Sequence, residues 1–153
     1  MSEKSDHTIC HAFDAVAQKR PSATAVIYLG TSYRYRLLKQ LADSFAAALK
    51  EIGVGAQDKV IIFLPNSIQW VVSWLGIQKA GAVCVPITPI YTPHDLSYIA
   101  NDCGAESIVC ADTNFGYVQK VLAETPLKRV IVARMADLLP WWKRFFGWAF
   151  DKV

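Results

Sequence analysis

Asp58-Lys59-Val60-Ile61-Ile62-Phe63-Leu64-Pro65-Asn66-Ser67-Ile68-Gln69-Trp70-Val71-Val72-Ser73-Trp74-Leu75-Gly76-Ile77-Gln78-Lys79 is the stretch that decides the fold. Residues 60–78 carry no charge, and an uncharged run of that length suggests a membrane-spanning helix. Pro65-Asn66-Ser67 breaks it, however, and Val60-Ile61-Ile62-Phe63 is β-branched and aromatic. The run therefore reads as a buried strand, a turn and a buried helix. The same rhythm repeats downstream. Strands are expected at residues 60–64, 82–87, 107–111 and 129–133, with helices at 67–79, 93–102 and 113–123. The strands are nearly continuous apolar runs, as expected where both faces of a parallel sheet are covered. Thr92-Pro93 supplies an N-cap and a proline at the first helical position, Gly104 a C-terminal glycine, and Asp112 a cap for the third helix. Single helices between strands imply right-handed crossovers, and so an α/β fold with a doubly wound, Rossmann-like, mostly parallel sheet.

Upstream of Asp58 the pattern differs. Thr8 caps a helix with Ile9, Ala12, Phe13 and Val16 at helical spacing, stopped before Pro21. Ala25-Val26-Ile27-Tyr28 and Tyr33-Arg34-Tyr35 flank a Gly30-containing turn and predict a small N-terminal hairpin. Leu38, Leu41, Ala42, Phe45, Leu49 and Ile52 form the apolar stripe of an amphipathic helix that ends at Gly53. Residues 1–136 are expected to form one α/β subdomain. Residues 137–153 are expected to form an aromatic, basic amphipathic helix. There Lys143, Arg144, Gly147 and Asp151 make one polar edge, and Trp141, Trp142, Phe145, Phe146, Trp148 and Phe150 fill most of the remainder.

Composition narrows the class of protein. The chain has 153 residues, of which 53% are hydrophobic, with 16 Lys+Arg against 13 Asp+Glu, for a net charge of +3. That length and apolar content support a proper core and exclude a disordered, collagenous or disulfide-scaffold chain. A small, scattered positive charge without a basic run does not point to nucleic acid. Met1 to Asp6 is polar, without the apolar segment of a signal peptide. Cys10, Cys84, Cys103 and Cys110 lack metal-ligand spacing and read as reduced thiols of a cytoplasmic protein. His7, Cys10 and His11 cluster, but no further ligand follows at usable spacing, so no metal site is expected.

In an open α/β sheet, ligands bind beyond the carboxyl ends of the strands. Pro65, Asn66 and Ser67, and then Thr88 and Tyr91, are the candidates there, with capping of the next helix as the plainer role of Asn66 or Ser67. Neither glycine-rich phosphate loop occurs. His94 falls in a solvated first helical turn, Asp95 and Asp102 lie on the same helix, and no catalytic set can be assembled. The residues by themselves describe a nucleotide-type fold without a nucleotide grip, and leave catalytic, cofactor-binding and metal residues unassigned.

Asp58-Lys59-Val60 leading to Leu64-Pro65-Asn66-Ser67 resembles an early motif of the AMP-forming acyl-CoA synthetases of the adenylate-forming superfamily. Lys79-Ala80-Gly81-Ala82-Val83-Cys84-Val85-Pro86-Ile87 resembles the next motif. Thr88-Pro89-Ile90-Tyr91-Thr92-Pro93-His94-Asp95-Leu96 and Asn101-Asp102-Cys103-Gly104-Ala105 continue the series. The Pro-Ile-Tyr-Thr-Pro version and the aromatic, basic extension are similar to those of the long-chain fatty acid branch. Leu37 stands where the family usually carries an acid. The resemblance implies the first part of a larger N-terminal domain. It also implies a parent that uses ATP, Mg2+ and CoA: a fatty carboxylate attacks the α-phosphorus of ATP, pyrophosphate leaves, and CoA thiolate displaces AMP. The family's phosphate loop, ATP contacts, magnesium ligand and adenylation lysine would all follow Val153. The segment is therefore expected to be an inactive scaffold, with Pro65, Asn66, Ser67, Thr88 and Tyr91 as a candidate substrate-channel wall. The aromatic extension is expected to pack on the rest of the parent, to self-associate, or to touch a membrane peripherally through Trp141, Trp142, Phe145, Phe146 and Trp148. The alternatives are a self-standing α/β interaction or small-ligand-binding module, and a small flavodoxin-like nucleotide binder, against which the missing glycine loop weighs.

Overall fold

The computed structural model describes residues 8–134 and 136–138. The described elements, in chain order, are α1 (Ile9–Lys19), β1 (Thr24–Tyr28), β2 (Thr31–Arg34), α2 (Tyr35–Glu51), β3 (Lys59–Phe63), α3 (Ile68–Lys79), β4 (Val83–Pro86), α4 (Pro93–Cys103), β5 (Ser107–Ala111), α5 (Phe115–Val121) and β6 (Arg129–Ala133). Two compact units are distinguishable. One comprises the described residues up to Asp58 with Val72–Val83, and the other Lys59–Val71 with the described residues from Cys84 onward. The expected aromatic helix at 137–153 lies, apart from Asp137 and Leu138, outside the described residues.

In the first unit β1 and β2 pair antiparallel through a two-residue turn in which Leu29 and Gly30 both have positive φ. Thr31 and Ser32, expected in the turn, lie in β2, and Tyr35, expected in the strand, opens α2. The backbone explains that earlier start. Tyr35 N–H donates to the Ala23 carbonyl and Arg36 N–H to the Pro21 carbonyl, each at 3.0 Å. Two of the orphan donors of the helix are thus satisfied without a side-chain cap, and none is present. Leu38, Ala42, Ala46 and Leu49 form the buried stripe of α2. The helix closes on Gly53 (φ 81°), where Val54 N–H reaches back to the Leu49 carbonyl. The Phe13 ring of α1 lies 5.8 Å from the Tyr35 ring of α2.

A charged cluster ties three helical segments of this unit together. Lys79 Nζ lies 2.7 Å from both Asp14 Oδ1 and Asp43 Oδ1, and Lys39 Nζ lies 2.7 Å from Asp43 Oδ2. Partial burial pushes the Asp43 carboxyl up, but hydrogen bonds from Lys39 and Lys79 outweigh it and hold the group below the usual carboxylate range. Close by, the Cys10 thiol contacts the Leu75 carbonyl, and burial pushes its pKa up. Gly76 of α3 is forced by proximity. A Cβ there would come within 2.6 Å of Phe45 Cδ1 and 3.1 Å of the Ala42 carbonyl oxygen.

The second unit carries a parallel sheet of strand order β4-β3-β5-β6. β3 runs from Val60 opposite Ser107 to Phe63 opposite Cys110, and β5 pairs in turn with β6 from Ser107–Arg129 to Ala111–Ala133. Residues 60–63 of β3 and all five residues of β5 are buried. One face of this pair, Ile61, Phe63, Ile108 and Cys110, packs with Leu96 and Ala100 of α4 and with Val118 and Val121 of α5. The expectation that every strand is covered on both faces holds for these two strands. It does not hold for β6, an edge strand where Val132 is 42% exposed, nor for β4, whose end residues are exposed.

α4 has the ends read from its sequence. Thr92 and Asp95 form a reciprocal capping box, Pro93 opens the helix, and Gly104 takes the left-handed C-terminal conformation. The third helix is shorter than the expected 113–123: a 3-10 turn at Asp112–Asn114 precedes α5 and another at Leu122–Glu124 follows it. Asp112 does not cap α5. Its carboxylate accepts from Thr113 N–H at 3.0 Å and organises the 3-10 turn.

Two predictions follow from this packing. Gly76→Ala should lower unfolding stability by about 1–3 kcal/mol, because Phe45 and the α2 backbone must give way. Gly116→Ala in α5, with nothing within 4 Å of the added methyl, should raise it by about 0.5–1 kcal/mol. Urea titrations of the two variants against the parent chain decide both. Burial also pushes the Cys84 thiol up to about 11, and burial with the nearby Asp112 carboxylate does the same to Cys110. At pH 8 about one part in a thousand of each would be thiolate. A disulfide reagent should therefore leave both unmodified in the folded chain and label them promptly in denaturant, as read by mass spectrometry of the peptides.

Candidate functional site

The carboxyl ends of the parallel strands are built to be rigid. Ser67 precedes α3 and its Oγ accepts from Trp70 N–H at 3.1 Å, while its own side chain is 6% exposed. Hydrogen bonds then connect the loops that leave the sheet. Gln69 Nε2 donates to the Arg134 carbonyl just after β6 at 3.1 Å, and Asn114 Nδ2, after β5, donates to the Pro89 carbonyl in the loop after β4 at 3.2 Å. Ile87 N–H donates to the Ile62 carbonyl at 3.0 Å, which carries the β4 chain one residue beyond the strand. Four chain segments are held at one end of the sheet by side-chain amides and backbone pairing.

A recess of about 430 Å³ opens there, lined by Leu64, Pro65, Asn66, Trp70, Pro86, Ile87, Thr88 and Pro89. It sits at the ends of β3 and β4, beside the point between β3 and β5 where the winding of the sheet reverses. Of the five residues singled out by sequence, Pro65, Asn66 and Thr88 meet in this recess. Ser67 does not: it is buried and spends its hydroxyl on the helix start, which was its plainer reading. Tyr91 stands apart in a recess of about 300 Å³ on α4, with His94, Asp95, Tyr98 and Ile99. Leu64, Trp70, Pro86, Ile87 and Pro89 complete the main recess and were not singled out. The signal that could have found Trp70 is its position three residues after Ser67, on the first turn of the helix that the strand end feeds.

The chemistry of this lining is narrow. Five of its eight side chains are aliphatic or proline, one is an indole, and the polar pair is an amide and a hydroxyl. Among the described residues no cation and no carboxylate lines it, and those that do line it offer nothing with which to neutralise a triphosphate or to ligate Mg2+. Such a donor set fits an apolar chain with one or two neutral polar contacts. His94 is exposed at the first turn of α4, and Asp95 is occupied: Thr92 Oγ1 and Thr92 N–H both donate to Asp95 Oδ2. Those hydrogen bonds, with a smaller push from His94, hold the Asp95 carboxyl below its usual range. Asp95 is thus half of the helix cap, paired with Thr92.

The AMP-binding enzyme family matches residues 13–145. A long-chain-fatty-acid–CoA ligase of Haemophilus influenzae is 33% identical over 138 residues, covering 90% of this chain and 25% of the relative. The chain thus spans about a quarter of the length of the curated relatives it matches. Among solved structures, a long-chain-fatty-acid-CoA ligase from Archaeoglobus fulgidus is similar at a TM-score of 0.77 and 26% identity, over 81% of this chain and 27% of that one. A benzoate CoA ligase from Burkholderia xenovorans shares the fold at a TM-score of 0.79 and 23% identity, over 92% of this chain and 28% of that one. The motif series, the strand order and a family match across most of its length place this chain in the AMP-binding enzyme family.

Proposed function

We propose that this chain is the N-terminal scaffold of an ATP-dependent, AMP-forming long-chain fatty acid–CoA ligase, and that it supplies a wall of the acyl channel while the groups that handle ATP, Mg2+ and CoA lie elsewhere in the parent. The observation that carries the reading is the pairing of two facts. The chain matches a long-chain-fatty-acid–CoA ligase over 90% of its length, and among the described residues the recess at its strand ends is lined by apolar and neutral side chains alone. In this reading Pro65, Asn66, Thr88 and Trp70 face the acyl chain, Ser67 fixes the start of α3 behind them, and Tyr91 belongs to the outer surface of α4. A carboxylate substrate is attracted by none of these side chains, so its head group is positioned by the remainder of the parent.

Adenylation depends on positioned donors, cations and metal that neutralise developing charge. A segment whose strand-end recess holds none of them should not turn over. The reading includes a cytoplasmic setting and a peripheral contact made by the aromatic residues Trp141, Trp142, Phe145, Phe146 and Trp148. In the isolated chain those residues, if not in lipid, also favour self-association. Among the described residues, no helix is long and apolar enough to cross a membrane.

Incubating residues 1–153 with ATP, Mg2+, CoA and palmitate should release no pyrophosphate above the protein-free blank in a coupled assay. Saturable release would overturn the scaffold reading. Replacing Trp141 and Trp142 by serine should weaken co-sedimentation with lipid vesicles, and unchanged binding would remove the proposed aromatic contact.

A further inference from the structure

The first unit carries an asymmetry of charge that the acyl-channel reading does not use. Between Asp14 and Asp43 the sequence holds no carboxylate and five cations, Lys19, Arg20, Arg34, Arg36 and Lys39. Lys39 is neutralised by Asp14 and Asp43. Among the described residues, the other four form no salt bridge, and all four are exposed.

The fold collects these cations on the hairpin and the start of α2. Ser32, Arg34, Arg36, Leu37 and Gln40 line one shallow recess of about 340 Å³. Arg36 N–H bonded to the Pro21 carbonyl brings Arg20 and Lys19 alongside the same first turn. The neighbouring apolar side chains are equally unusual. Ile27, the cross-strand partner of Ser32, is 70% exposed, and Leu37 is 43% exposed. At the apex Leu29 holds a φ of 47°, a conformation L-residues adopt at a cost, and is 62% exposed. Cross-strand partners and residues two apart in a strand share a face. Ile27, Ser32 and Arg34 therefore look out together, with Leu29 at the tip and Leu37 at the rim.

We propose that this β1–β2 hairpin and the first turn of α2 form a docking surface for an anionic lipid bilayer, with Leu29 and Ile27 entering the interface and Lys19, Arg20, Arg34 and Arg36 meeting phosphate head groups. An exposed apolar apex, with cations that form no salt bridge gathered at the open end of the same hairpin, complements a surface with an apolar interior and anionic head groups above it. A soluble acidic peptide would use the charges and leave the apex in water. The surface lies within the first unit and uses none of the residues of the aromatic extension, so it stands or falls separately from the contact proposed there.

The test is flotation of the 153-residue chain with vesicles of phosphatidylcholine alone or with 30% phosphatidylglycerol. Binding should require the anionic lipid and weaken with salt. Each cation near such a surface contributes about 1 kcal/mol, so Arg34→Gln with Arg36→Gln should lower the partition coefficient by about 30-fold. Leu29→Ser should reduce binding at high salt, where the charge contribution is screened. All three substituted residues are exposed, and circular dichroism confirms that the variants fold. A Trp141→Ser, Trp142→Ser chain, with the hairpin intact, should keep its dependence on phosphatidylglycerol. Equal binding by the Arg34→Gln, Arg36→Gln chain, indifference to phosphatidylglycerol, or capture by a polyglutamate peptide in place of vesicles would each overturn the proposal.

Discussion

Everything in the second unit depends on the pairing of β3 with β5. Val60, Ile61, Ile62 and Phe63 face Ser107, Ile108, Val109 and Cys110 in parallel register, and every one of these eight residues is at most 1% exposed. Burying a large aliphatic or aromatic side chain contributes about 1.5–3 kcal/mol, and six of the eight are Val, Ile or Phe on strands sealed on both faces. A one-residue slip would exchange the faces of Ile61 and Phe63 with those of Val60 and Ile62. The register is therefore strongly specified. The loops that leave the strands inherit their positions from it.

Those loops set the chemistry at one end of the sheet. At the ends of β3 and β4 the recess presents proline, leucine, isoleucine, tryptophan, an amide and a hydroxyl. Other polar side chains of the segment are spent on rigidity: Ser67 on the start of α3, Gln69 on the chain after β6, Asn114 on the loop after β4. The charged residues that form close pairs are likewise engaged in packing, as in the Lys39, Lys79, Asp14 and Asp43 cluster. Among the described residues, Arg34 and Arg36 at the hairpin and the start of α2 form no salt bridge.

The strands and helices were legible because the apolar runs are long, uncharged and bounded by turn residues. Thr92, Pro93 and Gly104 mark the ends of α4 with unambiguous local chemistry, and the structure uses each of them, with Asp95 as the reciprocal half of the cap. The errors fall where a tertiary contact replaces a local one. Tyr35 looked like a strand residue, but the carbonyls of Pro21 and Ala23 cap the helix in place of a side chain. Asp112 looked like a helix cap, but it folds back on Thr113 and a 3-10 turn intervenes. β6 looked as buried as β5, since both carry a run of four apolar residues; the place of β6 at the sheet edge exposes Val132.

Sequence alone determined the α/β class, the alternation of elements and the absence of a glycine-rich phosphate loop, because periodicity and turn chemistry are local properties of the chain. Tertiary structure decided which strand-end residues share a recess, bringing Pro65, Asn66 and Thr88 together with Trp70 and leaving Ser67 and Tyr91 outside it. Strand order decides that grouping. β4 lies beside β3 and β5 on its far side, and neither spacing nor composition encodes which neighbour the hydrogen bonds select.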